Sequence, residues 1–200
     1  MRILAIWPHP DDIELNCFWT LCKLKDEWHE INMLVLSDWG AWGNSLDRIK
    51  EQKKSASLIW ANLFLWWLKD KYISEWYETI EVIEKYVNLV SPDIVFIPSK
   101  YDTHQDHRAV SYASLVACRW VDNILQYNAI SSWTEFETNY FVDITDYVWK
   151  KLEAIQSHKS QSSRRYTKDE MIIWRGKQVW YKIHKSWGVF EEFTIYKLTK

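Results

Sequence analysis

Residues 2–14 read Arg-Ile-Leu-Ala-Ile-Trp-Pro-His-Pro-Asp-Asp-Ile-Glu, a short apolar run that passes directly into a turn rich in histidine and carboxylates. The run Arg2–Trp7 has the length and composition of a buried strand, and two prolines stiffen the turn that follows it. Taken alone, Asp11 and Asp12 are explained equally well as polar turn residues, one of which caps a helix. The rest of the chain decides whether this turn carries chemistry.

Beyond this turn the chain alternates short apolar runs with amphipathic segments, the pattern of α/β proteins. Further strands are predicted at 31–36, 63–67, 93–98, 140–144 and 193–198, and helices at 15–27, 45–62, 75–90, 107–121 and 146–156. Parallel strands joined by helices imply right-handed crossovers. We therefore expect a single domain, residues 1–200, with a Rossmann-like, doubly wound, mostly parallel sheet flanked by helices.

A second polar cluster follows the fourth predicted strand, where residues 98–107 read Pro-Ser-Lys-Tyr-Asp-Thr-His-Gln-Asp-His. In a doubly wound sheet the first and fourth strands are neighbours, and the loops at their carboxyl ends line the ligand-binding crevice. The two clusters are therefore predicted to meet. Two imidazoles and one carboxylate form a typical catalytic zinc site, and ferrous iron accepts the same donors. The remaining acids and histidine could act as general base, oxyanion stabiliser and orienting group.

These two clusters together resemble the paired motifs of the PIG-L/LmbE-like N-acetylglucosaminyl deacetylases. The motifs here are His9-Pro10-Asp11-Asp12, followed by Glu14, and His104-Gln105-Asp106-His107, and the similarity extends through the first three quarters of the chain. The resemblance implies an LmbE-like fold and a hydrolase dependent on Zn²⁺ or Fe²⁺. Such an enzyme would remove the N-acetyl group from a small conjugate that contains N-acetylglucosamine.

The resemblance also assigns roles to the residues of both motifs. Three residues would bind the metal: His9, Asp12 and His107. Asp11 would be the general base that acts on the metal-bound water. His104 would stabilise the oxyanion and serve as an acid, and Asp106 would orient His104.

Four further positions match family positions that contact substrate or lie near the pocket: Arg48, Glu51, Asp70 and His158. Arg48 and Glu51 match an Arg-x-x-Glu at the start of the second helix, where arginine can bind sugar hydroxyls. An exposed ion pair between residues i and i+3 explains them nearly as well. Asp70 follows the third strand and is equally explained as an ordinary loop carboxylate. His158 begins a late His-Lys-Ser-Gln motif, and the alternative for it is a solvent-facing histidine.

The tryptophan and glycine contents are unusual, with 15 Trp and only 4 Gly, whereas glycine makes up about 7% of an average chain. Trp28 and Trp60 each follow a helical stretch at the point where a left-handed cap, normally glycine, is expected. The family usually has glycine at the positions of Trp7, Trp39, Trp60 and Trp180. We infer that many of these tryptophans are UGA codons read as glycine in the source organism. A genuinely tryptophan-rich core is the alternative, in which case Trp7 and Trp39 would intrude beside the metal crevice.

The amino-acid composition limits the classes of binding partner and the cellular compartment that we expect for this protein. The formal net charge is −2, so no basic surface points to nucleic acid. The apolar opening is too short for a signal peptide or a membrane span. Three cysteines, Cys17, Cys22 and Cys118, cannot all pair, which favours a reducing compartment. We expect a cytoplasmic protein that binds a small amino-sugar substrate and no membrane, and a homo-oligomer is compatible with the sequence.

Three other functions are alternatives to this interpretation of the sequence. An amidase acting on a sugar-linked thiol conjugate would use the same metal and base. A non-catalytic carbohydrate-binding module of the same fold would need to have lost the base or a ligand, yet all of these residues are present. A nucleotide-dependent dehydrogenase is excluded because Pro8-His9-Pro10 fills the turn where a Gly-x-Gly-x-x-Gly motif belongs.

Overall fold

The computed structural model describes residues 1–37 and 44–199, and within them seven strands form one sheet. The strands are β1 (Arg2–Trp7), β2 (Glu30–Ser37), β3 (Asn62–Leu68), β4 (Ile94–Pro98), β5 (Asn123–Tyr127), β6 (Tyr140–Asp143) and β7 (Phe190–Lys197). Their order across the sheet is β3-β2-β1-β4-β5-β7-β6. The first five run parallel, and β7 and β6 add an antiparallel edge. The predicted doubly wound, mostly parallel fold is confirmed.

Helices cover both faces of this sheet. They are α1 (Asp12–Asn16), α2 (Phe18–Asp26), α3 (Ser45–Ser57), α4 (Tyr77–Val90), α5 (Gln105–Ala117), α6 (Val148–Ser157) and α7 (Asp169–Lys182). Side chains from α1, α2, α3 and α6 share one apolar cluster with the sheet, and those from α4 and α5 share another. Among the described residues, no helix is both long enough and apolar enough to cross a membrane.

Strand β1 shows why its sequence is continuously apolar. Ile3, Ala5 and Trp7 point into one apolar cluster, whereas Leu4 and Ile6 point into the other, and all five side chains are fully buried. A central parallel strand is covered on both faces, so neither set of alternating positions can be polar.

The site is positioned by the point where strand order reverses. Strand β1 pairs with β2 on one side and with β4 on the other, and both neighbours run parallel to it. The turn after β1 and the loop after β4 therefore leave the sheet side by side at its carboxyl edge. This adjacency confirms the predicted meeting of the two motif-bearing loops.

The first predicted helix is divided in the structure. The segment 15–27 forms two helices, α1 and α2, separated at Cys17, where φ is −130° and ψ is 5°. The reason lies far along the chain, because the Glu191 carboxylate accepts the N–H groups of Trp19 at 3.2 Å and Thr20 at 2.7 Å. A buried acceptor thus satisfies the amides of a second helix start. Strand β5 and helix α7 are also absent from the sequence prediction.

The predicted left-handed helix ends are found at both tryptophans. Trp28 has φ 65° and Trp60 has φ 52°, and both side chains are highly exposed, at 94% and 84%. By contrast, Trp180 lies inside α7 at an ordinary φ, so its backbone gives no reason for glycine. Trp39 lies outside the described residues, and Trp7 is a fully buried residue of β1.

Candidate active site

The two motif-bearing loops enclose a cavity of about 220 Å³ at the carboxyl edge of the sheet. The residues of the motifs that line it are His9, Asp11, Asp12, His104 and His107. Arg48 from α3 and a group of polar residues from later segments also line it: Ser131, Gln161, Arg164 and Tyr166. The fold thus brings five of the six predicted motif residues to one concave surface.

Asp12 links the two imidazoles predicted to bind metal. Its Oδ2 atom lies 3.2 Å from His9 Nδ1 and 3.4 Å from His107 Nε2, and all three side chains are buried. Burial alone would raise the pKa of Asp12, but the neighbouring His107 and His9 outweigh it and hold that pKa far below its ordinary value. Asp12 is therefore a fixed anion between two nitrogen donors.

His107 is oriented by Asp102, a residue to which the sequence assigned no role. His107 Nδ1 lies 2.8 Å from Asp102 Oδ2, so this nitrogen donates and leaves Nε2 facing Asp12. Burial opposes the charged imidazole, yet Asp12 and Asp102 together raise the pKa of His107 to about 9. A carboxylate that accepts from the second ring nitrogen is the usual support of a metal-binding histidine. In the sequence, the only sign of this role for Asp102 is that an aspartate lies five residues before the histidine.

His9 gathers two more carboxylates around the same point. Its Nε2 lies 3.1 Å from Asp106 Oδ2 and 3.3 Å from Asp70 Oδ1, while Nδ1 contacts Asp12. Burial lowers the pKa of His9, but the hydrogen bonds with Asp106, Asp12 and Asp70 raise it well above the ordinary value. Asp70, predicted to contact substrate, instead packs against His9 and is not part of the cavity wall.

The predicted orientation of His104 by the Asp106 carboxylate is wrong. Asp106 contacts His104 through its backbone N–H, which donates to His104 Nδ1 at 3.2 Å. The carboxylate accepts the Lys71 N–H at 2.7 Å and faces His9. Because His104 caps the start of α5, its ring is fixed beside the helix amides, and the Asp106 side chain is free to point the other way.

His104 therefore has a defined protonation pattern. Because Nδ1 accepts a backbone N–H, the neutral ring carries its proton on Nε2. Burial lowers the pKa of His104, and the adjacent His107 and His9 lower it further. Its ring stacks on that of His107, with centroids 4.7 Å apart. The cavity wall thus contains a neutral imidazole with one N–H to donate.

The donor set fits a divalent cation. In each of two groups of three residues, one ligand atom per residue lies within 4.8 Å of the others, and neither group contains Asp12. The groups are His9 with His104 and His107, and His9 with Asp70 and Asp106. Imidazole and carboxylate donors suit zinc or ferrous iron. Among the described residues the buried charges at the site are unbalanced, because the cationic groups Arg48, His9 and His107 are fewer than the carboxylates even when both imidazoles are protonated. The five carboxylates are Asp11, Asp12, Asp70, Asp102 and Asp106. Asp106 Oδ1 is also buried with no hydrogen-bond partner among the described residues. Both observations favour a bound cation.

Asp11, the predicted base, is held in a strained backbone conformation at the cavity. Its φ is 76°, which costs about 1–3 kcal/mol for a non-glycine residue. Its N–H donates to Gln52 Oε1 at 3.2 Å, and its Oδ1 accepts Arg48 Nη2 at 3.0 Å. Burial raises the pKa of Asp11 to about 6, against the lowering effect of Arg48. Gln52 and Arg48 together fix the direction of this carboxylate.

The predicted substrate residues Arg48 and Glu51 have different surroundings. Arg48 lines the cavity, but its Nη2 is committed to Asp11 and to Pro10 O at 2.8 Å. Glu51 is not part of the cavity wall, and its carboxylate accepts the N–H and hydroxyl of Ser160 at 2.8 and 2.6 Å. Glu51 therefore ties α3 to the segment after α6, and the alternative prediction of an Arg48–Glu51 ion pair is also wrong for the described residues.

His158 is a buried residue, not a rim residue as predicted. Its Nε2 lies 3.6 Å from Glu14 Oε2, and neither side chain is exposed. Glu14 Oε1 also accepts Gln52 Nε2 at 2.8 Å and Ser55 Oγ at 2.5 Å. Since a buried carboxylate needs compensating partners, His158 supports Glu14, and Gln52 connects this pair to Asp11. Gln52 is a site residue that the sequence analysis did not identify.

Trp7 does lie beside the residues that are predicted to bind metal. Its ring stacks on Tyr127 with centroids 3.8 Å apart and meets His107 edge-on at 5.1 Å. Trp7 Nε1 is buried with no hydrogen-bond partner among the described residues. The side chain fills space next to His107 but is not part of the cavity wall.

Comparisons with known proteins show which family and which proteins the chain resembles. The PIG-L family, described as GlcNAc-PI de-N-acetylase, matches residues 4–118. An uncharacterized deacetylase, YaiS, of Escherichia coli K12 is 33% identical over 171 residues, covering 79% of this chain and 90% of that protein. Diacetylchitobiose deacetylase of Thermococcus kodakarensis is 30% identical over 202 residues, covering 86% and 73%. A conserved protein of Thermus thermophilus has the same fold, with TM-score 0.87 at 20% identity over 99% of this chain and 95% of its own.

Proposed function

The chain belongs to the PIG-L family of GlcNAc-PI de-N-acetylases, and from that membership we propose that it is a metal-dependent N-deacetylase acting on a small conjugate of N-acetylglucosamine. The observation that carries the proposal is the contact of Asp12 with both His9 and His107 in a buried crevice that Asp11 also lines. Both curated relatives named above are deacetylases, which supports the reaction class.

The metal would be held by His9, Asp12 and His107. When bound there, a Zn²⁺ or Fe²⁺ ion would supply Lewis acidity, which polarises an acyl oxygen and acidifies water. Asp102 keeps the His107 ring in the tautomer whose Nε2 faces Asp12. Asp106 and Asp70 fix the His9 ring from the other side.

Asp11 would transfer the proton of the reaction, and His104 would stabilise the developing oxyanion. Asp11 accepts a proton from the attacking water, whose oxygen forms a bond to the acetyl carbon. His104 Nε2–H donates a hydrogen bond to the oxyanion that develops on the carbonyl oxygen. As the carbon–nitrogen bond breaks, the proton that Asp11 took from water passes to the leaving nitrogen, and the products are a free amine and acetic acid, which ionises to acetate. The Arg48 guanidinium keeps Asp11 directed into the cavity.

The polar wall opposite the motifs supports a sugar as substrate. Ser131, Gln161, Arg164 and Tyr166 line the cavity together with Arg48. Hydroxyl, amide and guanidinium groups are suited to hydrogen-bonding the hydroxyls of a pyranose ring. We further propose a cytoplasmic location, which is supported by three buried cysteines that form no disulfide.

An amine-release assay tests this function. The chain, stripped of metal by a chelator and then reloaded with Zn²⁺ or Fe²⁺, is incubated with N-acetylglucosamine and with its conjugates. We expect free amine and acetate in equal amounts from the reloaded protein and neither from the stripped protein. His107→Ala should abolish release, whereas His29→Ala, a histidine outside the cavity, should leave it unchanged. Release by the stripped protein, or no release with either metal on any conjugate, would contradict the proposal.

A further inference from the structure

A second, larger cavity adjoins the catalytic one. Its volume is about 460 Å³, against about 220 Å³ for the catalytic cavity, and the two share part of their walls. The shared residues are Leu15, Asn16, Ala129, Ile130 and Tyr166. Sites for small ligands usually span about 300–1,000 Å³, so the catalytic cavity alone is small for a conjugate. Because the two cavities share part of their walls, together they have room for a substrate that extends beyond its acylated sugar.

The charges on the wall of the second cavity do not cancel. Two lysines are each paired with a glutamate, Lys151 with Glu191 at 2.8 Å and Lys182 with Glu192 at 2.7 Å. Arg175 of α7 also lines this cavity, and no carboxylate in the described part of the chain lies within ion-pair distance of it. One positive charge is therefore left over on the wall.

The Arg175 guanidinium is held in place by neutral partners. Its Nη1 donates to Asn16 Oδ1 at 3.3 Å, and its Nη2 donates to the backbone oxygen of Asn128. The side chain is half-buried, and desolvation lowers its pKa despite Glu192 and Glu191 nearby. A partly desolvated cation without an ion-pair partner is costly unless an anion binds to it. The planar guanidinium suits the oxygens of a carboxylate or a phosphate.

Asn16 connects this cation to the catalytic residues. Its side-chain amide donates to the backbone oxygen of Asp12 at 2.8 Å, while its Oδ1 accepts Arg175. Asn16 also lines both cavities. An anion bound at Arg175 is thus placed at a fixed position relative to the metal-binding end of α1.

We propose that this second cavity is a specificity subsite in which Arg175 binds a carboxylate or phosphate carried by the group attached to the amino sugar. The proposal rests on the proposed function, because it names the substrate class of the same site. Arg175 lies in α7, outside the residues 4–118 matched by the family. The proposed selectivity therefore depends on the C-terminal part of the chain.

Three matched conjugates test the subsite. N-acetylglucosamine is linked at C1 to the same short spacer ending in a hydroxyl, a carboxylate or a phosphate, and free amine is measured. We expect the metal-loaded protein to have a kcat/KM roughly tenfold or more higher for an anionic conjugate than for the neutral one. Comparison of the two anions identifies which of them the subsite accepts.

Variants of α7 locate the preference. Arg175→Gln should remove the advantage of the anionic conjugate mainly through KM, so that the anionic and neutral conjugates are cleaved with similar kcat/KM. Lys177→Gln removes a charge from the exposed face of the same helix and should preserve the preference. If Arg175→Gln does not fold, Arg175→Lys can be measured in its place, because it retains the charge. In addition, the preference of the unmodified protein for the anionic conjugate should shrink as the salt concentration is raised.

The outcomes separate the two proposals. If none of the three conjugates releases amine, the proposed function fails. If the neutral conjugate is cleaved as well as both anionic ones by the unmodified protein, the function stands and the Arg175 subsite is refuted. Equal loss of all three activities in folded Arg175→Gln would also refute it, because the residue would then be structural.

Discussion

Two helix ends carry tryptophan at a backbone conformation that favours glycine, and replacing them should stabilise the protein. At Trp28, φ is 65°, and the N–H of the next residue, His29, donates to Leu24 O at 3.0 Å. At Trp60, φ is 52°, and the N–H of the next residue, Ala61, donates to Ala56 O at 3.1 Å. Both ends are Schellman motifs, whose left-handed residue is usually glycine.

The expected gain comes from the backbone, because the side chains contribute little. A left-handed conformation costs an L-residue about 1–2 kcal/mol, and glycine avoids this cost while losing more chain entropy on folding. Trp28 is 94% exposed and Trp60 is 84% exposed, so their removal sacrifices almost no buried surface. We expect Trp28→Gly and Trp60→Gly each to raise the free energy of unfolding by about 0.5–1.5 kcal/mol. For a chain of this length that corresponds to a Tm increase of about 1–6 °C.

Thermal and urea unfolding of the purified variants measure this gain. Trp120→Gly is the matched control, because Trp120 is also 84% exposed but has an ordinary φ. The control should be neutral or destabilising. If Trp28→Gly and Trp60→Gly were no more stable than Trp120→Gly, the strain argument would be refuted. The intact mass of the chain made in its source organism tests the recoding inference separately, since a mass with every tryptophan present would contradict it.

Three further changes probe the supports of the site. Gln52→Leu leaves the Asp11 N–H without its acceptor, which costs about 1–3 kcal/mol. We expect kcat to fall about tenfold, whereas the metal affinity, measured in parallel, should stay unchanged. Asp102→Asn weakens the hydrogen bond that orients His107. It should reduce the metal affinity, measured by competition with a chelator, about 10–100-fold. An unchanged affinity would exclude the orienting role of Asp102. Burial lowers the pKa of His158, but its buried glutamate partner raises it overall, so the stabilisation is complete below about pH 6.5 and is lost as pH rises through the raised pKa. Relative to His158→Gln, the unmodified protein should therefore lose Tm as the pH rises above about 6.5, and parallel dependences of Tm on pH for the two proteins would contradict this.

The sequence predicted the fold because its strands and turns are locally encoded. The continuous apolar run of β1 reflects burial on both faces, and Pro8 and Pro10 mark its end. The reversal of strand order then requires the two motif-bearing loops to be neighbours. The break at Cys17 could not be predicted, because the acceptor that satisfies the second helix is Glu191, 172 residues from Trp19.

The same distinction applies to the site. The positions of motif residues such as His9 and Asp11 could be predicted, because the loop that carries them leads directly to the cavity. Long-range partners were not predictable, since the contacts of Asp106 with His9 and of His158 with Glu14 depend on tertiary packing. Gln52 has no motif of its own and is recognisable only through its two buried hydrogen bonds.

The most direct measurement of the central claim compares amine release by the metal-loaded, natively translated chain with that of Asp11→Asn. Asparagine preserves the size of the side chain and still accepts from Arg48, but it cannot take a proton from water. We predict turnover of an N-acetylglucosamine conjugate by the unmodified protein and a loss of about 10²–10⁴-fold in kcat for Asp11→Asn, with metal content equal in both. Equal turnover by the two proteins, at equal metal content, would contradict the role of Asp11 and the mechanism built on it.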